Sequence, residues 1–353
     1  MSRFICEDLK GLEEYTPGEQ PTGRKYIKLN TNESPYPVPK AVIRGALEEA
    51  KKLNLYSDPA AAQLTAAIAR FHSVSEDNIL VTNGSDEVLA FIAQCYCRGK
   101  RVMFPDVTYG FYESLCGLYG IKYTTAPLND DFTVDFEKYA KAEVVFLANP
   151  NAQTGIGVKS SRIIDFVRFN KNRLVIVDEA YVDFGGQTVA PLIKDCDNLI
   201  VVRTFSKSRS LAGGRLGYAL AGNELIRELG KVKFSFNPYS VNRMTLAAGL
   251  AAINSPYYFD DCVKKIVATR TKTVGDLTAL GFEILPSSAN FIMAKHAAIG
   301  GGELKSRLKE NGILVRHFTN ERIKDYIRIT IGSDKEMFAF VTAIAKIIGE
   351  TEK

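Results

Sequence analysis

Between about residues 78 and 219, short unbroken apolar runs alternate with amphipathic stretches. Ile79–Thr82, Arg101–Phe104, Val144–Ala148, Leu174–Val177 and Leu199–Val202 are each four or five residues long and show almost no polar alternation. Runs of this kind predict strands buried on both faces, as in a parallel sheet covered by helices, and their regular spacing predicts a doubly wound α/β unit. After about Val241 the pattern changes. Helices are predicted over Arg243–Ile253, Tyr258–Leu280, Glu303–Asn311 and Asp334–Ile348. Strands are predicted over Phe282–Leu285, Asn290–Ala294, Ile313–Arg316 and Tyr326–Ile331, which together describe a smaller α+β unit. The first thirty residues have little periodicity and read as an arm that packs against another part of the chain. The expected division is therefore an arm over 1–30 that joins the small domain, a large domain over 31–245 and a C-terminal small domain over 246–353.

Composition narrows the possibilities. The 353 residues carry a net charge of +5 with 46% hydrophobic residues, an ordinary globular balance, and the basic residues form no stripe of the kind that binds nucleic acid. The opening MSRFICEDLKGLEEYTPGEQP has no continuous apolar core and does not read as a secretory signal, and no apolar run approaches the roughly 18 residues of a membrane span. The six cysteines, at 6, 95, 97, 116, 196 and 262, show neither metal-binding nor disulfide spacing. No metal is expected, and a cytoplasmic location is.

In an open parallel sheet, ligands bind beyond the carboxyl ends of the strands, so the residues that follow each apolar run are the candidates for chemistry. Ile79–Thr82 is followed by Asn83-Gly84-Ser85-Asp86 and a helical run over Glu87–Cys97. Val144–Ala148 leads into Asn149-Pro150-Asn151-Ala152-Gln153-Thr154-Gly155, and Leu174–Val177 into Asp178-Glu179-Ala180-Tyr181. Leu199–Val202 precedes Arg203-Thr204-Phe205-Ser206-Lys207, with Gly213, Gly214 and Arg215 beyond. A helix N-terminus opened by a small-residue turn is a phosphate site, to which Ser206 and Arg215 would add a hydroxyl and a bidentate charge. An amine beside that site and near a carboxylate points to a ligand with a phosphate, a carbonyl and a basic ring nitrogen. Pyridoxal phosphate has all three. Lys207 would form a Schiff base with its aldehyde and then act as the base at the substrate Cα. Asp178 would keep the ring nitrogen protonated, Tyr181, one helical turn on, would meet the ring hydroxyl, and Tyr109 would stack on the ring.

Taken singly, each residue has a plainer explanation. Lys207 is then an exposed lysine after a strand, Asp178 a helix cap, Tyr109 and Tyr181 half-buried packing residues, and Gly84 and Gly155 turn residues. Val175–Glu179 also resembles the acidic strand end of a P-loop ATPase, but the chain has no G-x-x-x-x-G-K-[ST]. Their joint order at successive strand ends favours the cofactor site.

Over almost its whole length the sequence resembles fold type I pyridoxal-phosphate enzymes of the aspartate aminotransferase superfamily, and more narrowly the histidinol-phosphate aminotransferases. The resemblance rests on Leu29–Pro37, Tyr56-Ser57-Asp58-Pro59, Thr82–Glu87, Thr108-Tyr109-Gly110, Asp178–Tyr181, Arg203–Lys207 with Leu211–Gly217, Arg316, and Tyr326–Ile329. It implies a mainly parallel seven-stranded sheet sandwiched by helices, plus a smaller α+β domain. It makes Lys207 the Schiff-base lysine and assigns the ring to Asp178, Tyr181 and Tyr109. It implies that Gly84, Ser85, Asp86, Ser206 and Arg215 hold the cofactor phosphate. By the same resemblance Tyr56 is expected to reach the neighbouring subunit's cofactor and substrate, which implies a homodimer. Tyr15, Asn32, Arg316 and Arg328 are expected to bind substrate, Arg328 taking the glutamate α-carboxylate. Ala152 departs from the usual Asn-Pro-Thr-Gly loop, whose asparagine bonds the ring hydroxyl, and Asn151 is expected to supply that bond instead. Gly214 stands where a leucine is common.

The activity implied is amino transfer between glutamate and imidazole acetol phosphate, giving histidinol phosphate and 2-oxoglutarate in histidine biosynthesis. An aromatic amino-acid aminotransferase and a threonine-phosphate decarboxylase would keep the same cofactor residues. An aminotransferase-like effector domain of a regulator would need a DNA-binding region, and only about 28 residues precede Leu29. Neither nucleic acid nor membrane is expected as a partner.

Overall fold

The first strand, β1 (Ile27–Leu29), ends the N-terminal arm, and two helices, α1 (Lys40–Ala50) and α2 (Ala62–His72), lead from it to β2 (Ile79–Thr82). The structure is a computed structural model and describes residues 2–21 and 23–351. The chain continues through α3 (Ser85–Ile92), β3 (Val102–Pro105), α4 (Phe111–Leu118), β4 (Tyr123–Ala126), β5 (Val144–Ala148), α5 (Ser160–Phe169), β6 (Leu174–Asp178), β7 (Leu199–Thr204), β8 (Gly217–Ala221) and α6 (Asn223–Phe236). Seven of these strands form one sheet in the order β2-β8-β7-β6-β5-β3-β4, parallel except for β8.

The missing polar alternation in β5, β6 and β7 has a simple cause. Successive side chains point to opposite faces of a strand, and here each face meets helices. Val145, Leu147, Val175, Val177 and Val201 pack on one side with Ile68 of α2 and Val167 of α5. Phe146, Ile176, Ile200 and Val202 pack on the other with Leu89 of α3, Leu115 of α4 and Leu229 of α6.

The rest of the chain is α7 (Arg243–Ile253), α8 (Pro256–Ala279), β9 (Glu283–Ile284), β10 (Phe291–Lys295), α9 (Gly301–Glu310), β11 (Ile313–His317), β12 (Ile327–Thr330) and α10 (Asp334–Thr351). Its strands and β1 form a second sheet, β1-β11-β12-β10-β9, in which β1 runs parallel to β11 with Ile27 opposite Ile313. Ile266 and Leu277 of α8 and Phe340 and Ile344 of α10 form a core with Phe291 and Ile327 from this sheet. Asn242 caps α7, its Oδ1 accepting from Thr245 N at 2.9 Å, and in the turn that leads into α2 Asp58 Oδ2 accepts from Ala62 N at 2.7 Å.

Three sequence expectations change. Strands β4 and β8 fall outside the predicted runs: β4 is a half-exposed edge, and β8 begins on a glycine just after Gly213-Gly214. The helix expected over Glu87–Cys97 starts two residues earlier as α3 and ends in a π-turn over Ala93–Cys97. Tyr181 is not one helical turn beyond Asp178. It lies in a tight turn before a short 3-10 segment, Val182–Phe184, because Asp178 is still the last residue of β6.

Candidate active site

A cleft of about 720 Å³ opens at the carboxyl ends of the parallel strands and is walled on its other side by the second sheet and the arm. The turn after β2 builds one end of it. Gly84 has φ +80°, and a Cβ there would lie 2.8 Å from an Arg215 guanidinium nitrogen, so only glycine lets the arginine close over the start of α3. Gly217 is equally constrained, since its Cβ would lie 2.5 Å from the Gly84 carbonyl carbon. Asp86 and Glu87 occupy the first turn of α3, where acidic side chains favour the positive end of the helix dipole. Arg215 reaches Asp86 Oδ2 at 3.1 Å, and its other terminal nitrogen lies 3.5 Å from Ser206 Oγ. Free helix N–H groups, a hydroxyl and a guanidinium therefore converge on one small volume.

At the opposite end lies Asp178, only 5% exposed. Its Oδ1 accepts from Ala180 N and its Oδ2 from the Tyr112 hydroxyl, each at 3.1 Å. Burial raises its carboxyl to about 6, although both hydrogen bonds favour the ionised form. Tyr181 is buried beside it and accepts from Asn32 Nδ2 at 3.0 Å. Asn32, at φ +56°, is itself fixed by Thr330, whose hydroxyl donates to its Oδ1 at 3.0 Å. Between the two ends, Lys207 donates from Nζ to the Thr31 carbonyl at 3.3 Å and lies 5.6 Å from the centre of the Tyr181 ring. Tyr109 donates to Asp86 Oδ1 at 3.1 Å and meets Tyr15 edge to face at 6.0 Å.

Two arginines enter from the second sheet. Arg328 donates to the Ala152 carbonyl at 2.9 Å and sits 5.1 Å over the Phe291 ring, and desolvation pulls its guanidinium below the usual arginine value. Arg316 donates to the Thr16 and Pro17 carbonyls at 2.9 and 3.0 Å, so it also ties the arm across the cleft.

The cleft thus brings together Tyr15, Asn32, Ser85, Asp86, Tyr109, Asp178, Tyr181, Ser206, Lys207, Arg215, Arg316 and Arg328. Gly84 shapes the cup without lining it. Asn151 does not face the cleft. Its Nδ2 donates to the Val107 carbonyl at 2.8 Å and its Oδ1 accepts from Gln153 N and Thr154 N, so its amide closes the loop after β5 and does not line the cleft. Tyr56 lies outside, 79% exposed, with its ring stacked on Tyr239 at 4.5 Å.

Several contributors went unnoticed in the sequence. Tyr112 is one; its only signal is its place three residues after Tyr109, in the first turn of the helix that follows. Another is the pairing beneath the site, where buried Arg203 meets Glu179 at 2.9 Å and Asp183 at 2.7 Å. Asp183 in turn accepts from Ser208, next to Lys207.

The donor set suits a phosphorylated pyridine aldehyde. Among the described residues, nine buried side-chain polar atoms have no hydrogen-bond partner, and five of them, on Asn30, Thr31, Thr108, Gln153 and Arg328, belong to residues lining this cleft. Buried polar groups without partners are costly, so their concentration here marks the seat of a polar ligand.

Comparison with known proteins agrees. Residues 24–344 match the family model for aminotransferase class I and II. A histidinol-phosphate aminotransferase of Brachyspira hyodysenteriae is 45% identical over 99% of each chain, and one of Clostridium beijerinckii is 42% identical over 100% of this chain and 99% of the relative. The solved histidinol-phosphate aminotransferase of Sinorhizobium meliloti, in complex with pyridoxal-5'-phosphate, shares the fold with a TM-score of 0.90 over 99% of each chain at 24% identity. This chain belongs to the class I and II aminotransferase family and, within it, to the histidinol-phosphate aminotransferases.

Proposed function

We propose that the protein transfers an amino group between histidinol phosphate and 2-oxoglutarate, with pyridoxal phosphate as cofactor, in the histidine pathway. The observation that carries this reading is the joint placement of one amine, one buried carboxylate and one anion cup in a single cleft. When bound, pyridoxal phosphate supplies an aldehyde that holds amines covalently and a ring that accepts negative charge from the substrate Cα. Lys207 is the amine that anchors it and the base that moves the Cα proton. The Ser85 and Asp86 N–H groups, Ser206 and Arg215 hold the phosphate, the turn at Gly84 giving them room, while Asp178 faces the ring nitrogen and Tyr181 the ring hydroxyl. Tyr109 covers the ring.

Arg328 takes the substrate α-carboxylate of glutamate, its desolvation strengthening a bidentate pair. Arg316, Tyr15 and Asn32 border the other substrate, with Arg316 directed to its phosphate. We further propose a homodimer in which Tyr56 completes the neighbouring site. Supporting this, Leu47, Leu53, Leu55 and Tyr56 expose 57%, 60%, 56% and 79% of their surface on and just beyond α1, apolar area of the kind a partner covers. The arm over 1–30 and the unit over 246–353 then act as one domain beside the large domain over 31–245.

Adding pyridoxal phosphate to the purified protein tests the cofactor: a visible absorption band is expected that Lys207→Ala abolishes. Turnover of histidinol phosphate against phenylalanine and tyrosine, with 2-oxoglutarate as acceptor, tests the substrate. A preference for the aromatic amino acids would overturn that assignment.

A further inference from the structure

Asp178 faces the cleft from the end of β6, and its setting is almost entirely neutral or negative. Asp86 approaches from α3, Glu179 follows it on the chain and is paired with Arg203, and Tyr109 and Tyr112 come from the β3–α4 segment. Lys207 is the amine of the same cleft, but it donates to the Thr31 carbonyl. Such a setting favours a protonated, neutral carboxyl, which could not pair with a protonated ring nitrogen. The Ala180 N–H and the Tyr112 hydroxyl oppose that tendency.

The Tyr112 hydroxyl is not explained by packing. The residue is 2% exposed, and its ring lies among Phe104, Phe146 and Tyr109 at centroid distances of 5.8, 5.2 and 5.7 Å. Phenylalanines already fill two of those neighbouring positions, so a phenyl ring would satisfy the same core. A buried hydroxyl costs free energy unless it is bonded, and this one is bonded to Asp178. Tyr139 provides the contrast: equally buried, outside the cleft, with a hydroxyl that has no partner.

We propose that Tyr112 is a positioning residue for the reaction, its hydroxyl aiming the Asp178 carboxylate into the cleft and keeping it ionised to meet the ring nitrogen. The proposal rests on the reading that Asp178 faces that nitrogen. Tyr112 lies three residues after Tyr109, whose hydroxyl holds Asp86 in the phosphate cup. Two phenols, Tyr109 just before α4 and Tyr112 in its first turn, thus bond the carboxylates at both ends of the cleft.

The test is the pH dependence of the dissociation constant for pyridoxal phosphate, read from the visible absorbance of wild type, Tyr112→Phe and Tyr139→Phe between pH 5 and 9. In wild type, affinity should fall on the acid side as Asp178 gains its proton. Losing a hydrogen bond to a charged acceptor should move that fall upward by about one pH unit in Tyr112→Phe and leave Tyr139→Phe unmoved. Replacing Tyr112 with 3-fluorotyrosine keeps the ring and makes the hydroxyl a stronger donor, so the fall should move the other way; this keeps the question open to experiment if Tyr112→Phe does not fold.

An unshifted profile in either Tyr112 variant, or an equal loss of affinity at every pH, would overturn the role of Tyr112. If wild type shows no acid fall and Asp178→Asn binds the cofactor equally well, the placement of Asp178 fails, and this proposal with it.

Discussion

Replacing Asp178 by asparagine should stabilise the cofactor-free protein while weakening its hold on the cofactor. Burial lifts this carboxyl from 3.8 to about 6, so between those values the folded state binds a proton that the unfolded chain releases. Folding stability therefore declines as pH rises through that window, and above pH 6 the full penalty is about 3 kcal/mol. Asparagine removes the charge. Its Oδ1 can still accept from Ala180 N, and its amide can donate to the Tyr112 oxygen, leaving the phenol proton without an acceptor at a cost of about 1 kcal/mol. The net gain is about 2 kcal/mol at pH 8, and the charge penalty it relieves is about half as large at pH 5.

Urea denaturation of the cofactor-free proteins at both pH values measures this, and repeating it with saturating pyridoxal phosphate should show a smaller ligand-induced stabilisation in the variant. Two results would refute the reasoning: an Asp178→Asn protein less stable than wild type at pH 8, or a stability difference that does not depend on pH.

Other expectations concern separate parts of the molecule. Arg203→Ala leaves the buried Glu179 carboxylate without its partner and should cost about 3–5 kcal/mol of stability, visible as a lower urea midpoint. Gly217→Ala forces a Cβ against the Gly84–Ser85 backbone; it should lower pyridoxal phosphate affinity by titration at least tenfold more than Gly222→Ala, a site with open space around it. Tyr56→Phe and Arg316→Ala should reduce turnover of histidinol phosphate, and unchanged turnover in both would contradict the substrate placement. Arg316→Ala should also free the arm, so limited proteolysis should cut near residues 16 and 17 faster than in wild type.

How much of this could be read from the chain depended on the physical signal each part carries. Strands β5, β6 and β7 are apolar on both faces, so they stand out against any amphipathic background, and the residues at their ends could be recognised as a group. Strand β4 could not, because Tyr123 and Thr124 face solvent at a sheet edge. Strand β8 was hidden by the glycines before it, although all five of its residues are buried.

Within the site, Lys207 and Arg215 sit at informative positions along the chain, whereas Tyr112 looks like any core aromatic until its partner, 66 residues away, is known. The expectation for Asn151 failed for a related reason. An asparagine one residue from the usual place has the right chemistry, but the loop needs its amide for three backbone hydrogen bonds, a demand that sequence spacing does not reveal.

The pairing of Ile27 with Ile313 also bears on how the protein is made. A ribosome releases β1 long before β11 exists, so this strand must wait for nearly the whole chain before it has a neighbour. Closing so long a loop is slow, and an unpaired strand edge invites association with other chains in the meantime. Residues 30–32, which follow β1 into the cleft, reach their final positions only when that loop closes. The parallel sheet should therefore assemble during synthesis as a unit without a finished catalytic pocket, and competence to react should appear abruptly, after the last strands emerge.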